Sequence, residues 1–277
     1  LTSAMRVLVS LILLSFVVSC FASDLTVYIS PSGNDTASCV QSTPCATLSA
    51  AFQQIGNDTY DSITVKCATG NYNGTNNIGV TFPTNISVTI TNSDDGVTFD
   101  CESALGSVAF DASGDVYDLT LNDLSIVSCN TGVNFAPNDQ YSLTLDDIDF
   151  YQVTTPINFV GGELSVDTTN FNTTTNGIVV TNATAVSVTK STFYGATQTS
   201  ISLTSANGIG SVHLDNCTFQ TTAGIYFAVV PFYFDNSTID FNGDIDNCIF
   251  DDISSAATIT FNDNDWVVEG CELTNVQ

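Results

Sequence analysis

From Leu119 onward the chain repeats one eight-residue phrase: apolar, any, apolar, two turn residues, two further residues, then a large apolar residue. The copies read LTLNDLSI from Leu119, LTLDDIDF from Leu143, LSVDTTNF from Leu164, VSVTKSTF from Val186 and VHLDNCTF from Val212. Looser copies are GDIDNCIF from Gly243 and WVVEGCEL from Trp266, and successive starts lie 24, 21, 22, 26, 31 and 23 residues apart. Self-similarity at such a period marks a stacked repeat architecture. The first three residues of each copy alternate inward and outward as a strand does. The fourth and fifth are mostly Asp, Asn, Thr or Gly, types that tolerate tight bends and the left-handed region. A second short strand then turns the eighth residue inward, giving a column of Ile126, Phe150, Phe171, Phe193, Phe219, Phe250 and Leu273.

A third alternation follows each of the first six copies, at Val133/Phe135, Ile157/Phe159, Ile178/Val180, Ile201/Leu203, Ile225/Phe227 and Ile259/Phe261. Earlier and less regular alternations occur at Ile63/Val65, Val80/Phe82, Val88/Ile90, Val97/Phe99 and Val108/Phe110. Three short strands per coil, recurring in register, predict an all-β, single-stranded, right-handed parallel β-helix of about nine coils over 61–277. Residues 23–60 differ. Leu25–Ile29 alternates as a strand, and Thr47–Ile55 places Leu48, Phe52 and Ile55 on one helical face. This strand-helix unit is expected to cap the open end of the first coil and protect its edge. The sequence stops inside a coil, so the β-helix is expected to continue past Gln277.

Residues 1–22 read as a leader and secretory signal: Met5-Arg6, then an apolar run from Val7 to Val18, then Cys20-Phe21-Ala22 with cleavage expected after Ala22. Val17-Val18-Ser19-Cys20 also resembles a lipobox, which would instead acylate Cys20. No other apolar run approaches the length of a membrane span. Eight cysteines remain after Ala22, an even count that in an exported chain predicts disulfides. Cys39 with Cys45 would staple the cap. Aligning Phe99 with Ile126 brings Cys101 close to Cys129 on the adjacent coil, with Cys67 to Cys101 as the competing pair. Cys217, Cys248 and Cys271 all occupy the sixth phrase position and are expected to stack inward as small hydrophobes.

Composition narrows the function. The chain carries 29 acidic residues against 3 basic ones, a net charge of −26, and its only arginine, Arg6, lies in the expected leader. Nucleic-acid affinity rests on Lys and Arg, so nucleic acid is excluded as a partner, and anionic lipid with it. Such a surface attracts cations, and Asp146, Asp147 and Asp149 are the weak candidates for Ca²⁺; no other cofactor is expected. Eight Asn-x-Ser/Thr sequons begin at Asn34, Asn57, Asn73, Asn85, Asn172, Asn182, Asn216 and Asn236. The coil starting at Val212 carries an aromatic insert, with Tyr226, Phe232, Tyr233 and Phe234 as a candidate contact surface.

Val27-Tyr-Ile-Ser-Pro-Ser-Gly-Asn-Asp35, then Cys39 and Pro44-Cys45-Ala-Thr-Leu48, resembles the opening of secreted β-helix proteins of the pectin-lyase-like superfamily. Asp61–Val65 with Gly70–Gly74, and Asn-Cys-x-Phe at 216–219 and 247–250, extend the resemblance, with polymorphic-outer-membrane-protein-like repeat proteins as the nearest named group. The resemblance implies the fold over about residues 25–277 and leaves the activity open among lyases, hydrolases, adhesins and structural proteins. Lyases of that kind use an Arg or Lys base. The only lysines here are Lys66 and Lys190, and Lys190 stands at a turn position. Hydrolases need a paired acid and base in a sheltered cleft, whereas Asp94/Asp95, Asp146/Asp147 and Asp251/Asp252 read as solvated turns. The sequence therefore predicts a non-catalytic extracellular structural or adhesive protein of a cell surface, matrix or filament. A carbohydrate-binding module and a Ca²⁺-dependent polysaccharide lyase or hydrolase are the alternatives. An extracellular protein, a polysaccharide or a second copy in a filament are the partners considered.

Overall fold

The structure, a computed structural model, describes residues 23–56, 60–93, 96–114, 116–137, 141–172, 174–205 and 211–220. Beyond these it describes the strands Tyr226–Val229, Asn242–Asp246, Ile249–Asp251, Trp266–Glu269 and Glu272–Thr274. The phrase dictates the pairing. Leu119 pairs with Leu143, Leu143 with Leu164, Leu164 with Val186 and Val186 with Val212, all in parallel. Ile126, Phe150, Phe171, Phe193 and Phe219 form the second column in the same register. Val133, Ile157, Ile178 and Ile201 form the third. One sheet holds the first two columns and a second, seven-stranded sheet holds the third. The result is a parallel β-solenoid of about six turns with an N-terminal strand and a short helix. Each coil exposes an apolar edge that only its neighbour covers, so equal phrase positions lie above one another at about 4.8 Å per coil.

The corners are tighter than a two-residue turn. Only the fifth phrase position takes a positive φ, at Asp123, Asp147, Thr168, Lys190 and Asn216, with values of 48–55°. In the first two copies the strands Asp118–Val127 and Ser142–Tyr151 run unbroken through it. A single left-handed residue redirects the chain while its flanking residues keep their ladder bonds. The sixth position then points inward, and Leu124, Ile148, Thr169, Ser191 and Cys217 are all buried. The polar members bond back to the carbonyl two residues earlier. Thr169 Oγ1 donates to Asp167 O at 2.9 Å and Ser191 Oγ to Thr189 O at 2.8 Å. Cys217 Sγ lies 3.5 Å from Asp215 O in the same arrangement. Local bonds of this kind make a buried hydroxyl or thiol tolerable.

Inside, Phe150, Phe171 and Phe193 stack with centroids 5.3 and 4.4 Å apart and interplanar angles of 16° and 2°. Third-column strands enter just beneath the stack, which requires small residues there. A Cβ on Gly132 would sit 2.6 Å from the Phe150 ring, and one on Gly177 would sit 3.1 Å from the Phe193 ring and 2.2 Å from Ser200 O. Upstream the alternation shifts: Ala109, Phe110 and Ala112 are buried while Val108, expected inward, is only half-buried.

At the N-terminal end, strand Asp24–Ile29 pairs with Ser62–Cys67. Its outer edge is closed by the 39–45 loop: Tyr28 N donates to Cys39 O, Cys45 N to Tyr28 O and Ser30 N to Cys45 O. The helix spans Leu48–Gln53, shorter than the predicted span to Ile55, although Ile55 still packs on the core. Thr47 caps it by accepting from Ala50 N, and Asp35 holds Ala46 N at 2.8 Å and Thr47 N at 2.9 Å. A sheet edge whose outward groups are already bonded offers no template to another strand.

Candidate functional site

A shallow groove of about 410 Å³ lies on the outer face of the second strand column. Two outward rows build it. One runs Ser125, Asp149, Asn170, Thr192 and the other Val127, Tyr151, Asn172, Tyr194, each residue paired with the next across successive coils. Tyr151 and Tyr194 are each 47% exposed, two of the four large apolar side chains exposed among the described residues. They are two coils apart, hence about 10 Å at 4.8 Å per coil, with Asn172 between them. Asn170 Nδ2 donates to Asp149 Oδ1 at 2.7 Å, fixing both polar groups along the groove. No cationic side chain lines it.

Sequence reasoning missed this pair. Each tyrosine immediately follows the inward aromatic of its phrase, so strand alternation alone would have turned it outward. The contact surface expected from the sequence lies elsewhere. Tyr226 opens a strand that pairs with Ser202–Ser205, and Phe232, Tyr233 and Phe234 lie outside the described residues.

The acidic candidates diverge around a corner. Asp146 faces out of the first column, where Asn122 Nδ2 donates to it at 3.2 Å. Asp147 sits at the left-handed bend and Asp149 faces the groove. Among the described residues no group of three or more His, Cys, Asp or Glu is placed to hold a metal ion. Partial burial, and then the charges of Asp123, Asp149 and Asp146, raise the Asp147 carboxyl above the usual range. Lys190, exposed at its corner, forms an ion pair with Asp167 at 3.2 Å. The Asp167 carboxyl is lowered, first by the Thr189 hydroxyl and also by Lys190, with desolvation opposing. Lys66 Nζ lies 6.0 Å from the Tyr28 ring centroid, and His213 is half-buried beside inward Leu214. Asp94/Asp95 and Asp252 lie outside the described residues.

Cys39 is bonded to Cys45 and Cys101 to Cys129. Cys67, the competing partner for Cys101, is buried without a disulfide, and burial pushes its thiol well above the usual range. Cys217 is buried and faces inward, while Cys248 and Cys271 lie outside the described residues. Of the sequon asparagines, Asn34, Asn73, Asn85, Asn172, Asn182 and Asn216 are exposed, and Asn57 and Asn236 lie outside the described residues. Asn85, Asn182 and Asn216 adopt positive φ, which Asn tolerates better than most residues, so the backbone alone accounts for asparagine there. Among the described residues no helix is long and apolar enough to cross a membrane. No protein-family model, curated protein or solved structure matches the chain.

Proposed function

We propose that the chain is a non-catalytic structural or adhesive protein of a cell surface, extracellular matrix or filament. In this reading it is a right-handed β-helix whose coils number about nine, since parallel crossovers overwhelmingly take that hand and the strand ladder continues to Glu272–Thr274. The observation that carries the proposal is the outer face itself. Its polar side chains are engaged with one another between coils, as Asn170 with Asp149, Asn122 with Asp146 and Lys190 with Asp167, rather than converging on one point. General acid-base chemistry needs a sheltered group with a matched pKa beside the reacting atom. Lys190 is exposed and tied to Asp167, and Asp147 stands at an open corner. Ladders of this kind instead make a rigid rod with a regular surface, which suits a scaffold or an adhesin. The leader-like segment supports export, and two disulfides are compatible with an oxidising compartment.

The test is turnover. The purified chain is incubated with pectin, polygalacturonate, alginate and neutral glucans, with and without Ca²⁺, and products are followed by unsaturated-uronate absorbance and reducing ends. No product is expected. A reaction lost on Lys190→Ala or Asp147→Asn would move the protein to the enzyme class.

A further inference from the structure

Resting on that adhesive reading, we propose that the groove between Tyr151 and Tyr194 binds a strand of uncharged polysaccharide running across the coils, along the rod. Four features of the groove select this occupant.

The backbone under the groove is fully occupied by the parallel ladder, with Ser125–Val127, Asp149–Tyr151, Asn170–Asn172 and Thr192–Tyr194 each paired on both sides. A peptide that binds by strand addition needs a free sheet edge, and this is a sheet face. The occupant must therefore be held by side chains alone. Those on offer are two aromatic rings and a row of hydroxyl, amide and carboxylate groups. Aromatic faces with small polar groups beside them fit a ligand that presents apolar C–H faces and hydroxyl edges in alternation, and a pyranose ring does both.

Charge excludes the anionic polysaccharides. Asp149 lies in the groove, no Lys or Arg lines it, and the nearest lysine along the chain, Lys190, is paired with Asp167. On a chain of net charge −26 a polyuronate would be repelled. Periodicity excludes a single small sugar. The rows span the four coils from Ser125 to Tyr194, and the two rings stand at corresponding positions two coils apart, so the face repeats in one dimension as a polymer does. Rigidity favours binding as well. Each tyrosine is anchored by the buried phenylalanine that precedes it, Phe150 or Phe193, in the internal stack, so little backbone ordering remains to be lost on association.

The experiment uses an array of neutral glucan, mannan, xylan and galactan oligosaccharides with polygalacturonate alongside, probed with the secreted chain. The strongest neutral hexasaccharide is then titrated by calorimetry into the wild type, Tyr151→Ala, Tyr194→Ala and Tyr151→Phe, with thermal melts to verify folding. The expected result is binding to a neutral glycan, unaffected by EDTA, weakened about tenfold by each alanine and retained by phenylalanine, the loss typical of one interface anchor. No neutral binding by a folded chain, or binding as tight as the wild type's by both alanine variants, overturns the proposal and leaves the adhesive reading standing. So does a glycan found by mass spectrometry on Asn172, which would fill the space between the rings. Tyrosine-dependent binding accompanied by shortening of the oligosaccharide would instead sink the adhesive reading and leave the groove.

Discussion

Between Asp118 and Tyr194 the second strand of each complete coil passes to the third through a short corner, 128–130 and 152–154 in the first two coils. Before Asp118 the same corner runs through 73–79 in one coil and 101–107 in the next. The two regions stabilise their corners by different means. The short corners turn on a left-handed residue, Ser128 or Gln152, with the inward stack behind it, and the second of them carries no disulfide. The long ones recruit cross-links. Buried Asn77 accepts from Leu48 N at 2.9 Å and donates to Asn73 O at 3.0 Å, tying the 73–79 loop to the cap helix. The disulfide Cys101–Cys129 fixes the 101–107 loop to the following coil. The second column stacks in both regions: Phe150, Phe171 and Phe193 at 16° and 2°, and Tyr72 on Phe99 at 21°. Parallel register keeps the inward column stacked whatever the corner length; what changes with length is the corner itself, where a local cross-link holds the longer loop.

The largest effect should come from the centre of the stack. Phe171→Ala removes a ring packed on both sides and should cost about 3–5 kcal/mol in urea unfolding. Because coils contact only their neighbours, hydrogen exchange should rise first in the strands holding Phe150 and Phe193. A uniform rise across the rod, cap included, would break the distinction between the two regions.

Next comes the staple. Joint replacement of Cys101 and Cys129 by Ser opens a connection of 28 residues and should cost about 3.6 kcal/mol by the chain-entropy account. Protection should fall around 101–107 and 128–130 while the Phe171 strand keeps its own. Loss of protection at Phe171 first would show that the long corner and the regular coils unfold as one unit.

The smallest effect sharpens the account of the short corners. Asp123 and Asp147 occupy the same left-handed position on neighbouring coils, and their like charges contribute to the raised Asp147 carboxyl. A raised carboxyl pKa means that ionised Asp147 opposes folding at neutral pH, and that this opposition vanishes as pH falls through the folded pKa to the unfolded value. Asp147→Asn keeps a residue suited to positive φ and removes the charge. It should raise stability by only a few tenths of a kcal/mol at pH 7, given the solvent exposure, and by nothing below about pH 4. An unchanged gain at low pH would assign the effect to backbone preference rather than to charge.

The sequence by itself determined the solenoid, the pairing register and the inward columns. Each coil restates the same alternation, and parallel stacking aligns like with like, so a local pattern becomes a global one without long-range information. Alternation at Leu25–Ile29 and the apolar face of Leu48 and Phe52 marked the N-terminal strand and helix, and aligning Phe99 with Ile126 placed Cys101 and Cys129 close together on adjacent coils. The sequence overstated the corners, because an Asp-Asp or Asn-Asp pair reads as two turn residues when one left-handed residue suffices and the strand continues through it. It aligned Cys217 with Ser191 at the sixth position but could not say that both bond back to the carbonyl two residues earlier, at 3.5 and 2.8 Å, since residue type does not reveal a bond partner. The tertiary structure decided that this outward row is open and bounds a groove. Tyr151 and Tyr194 are 43 positions apart in the chain and ordinary in their local context. The register of the phenylalanine column puts them in one row with Asn172 between, but their exposure and the groove between them depend on how the coils stack rather than on any spacing along the chain.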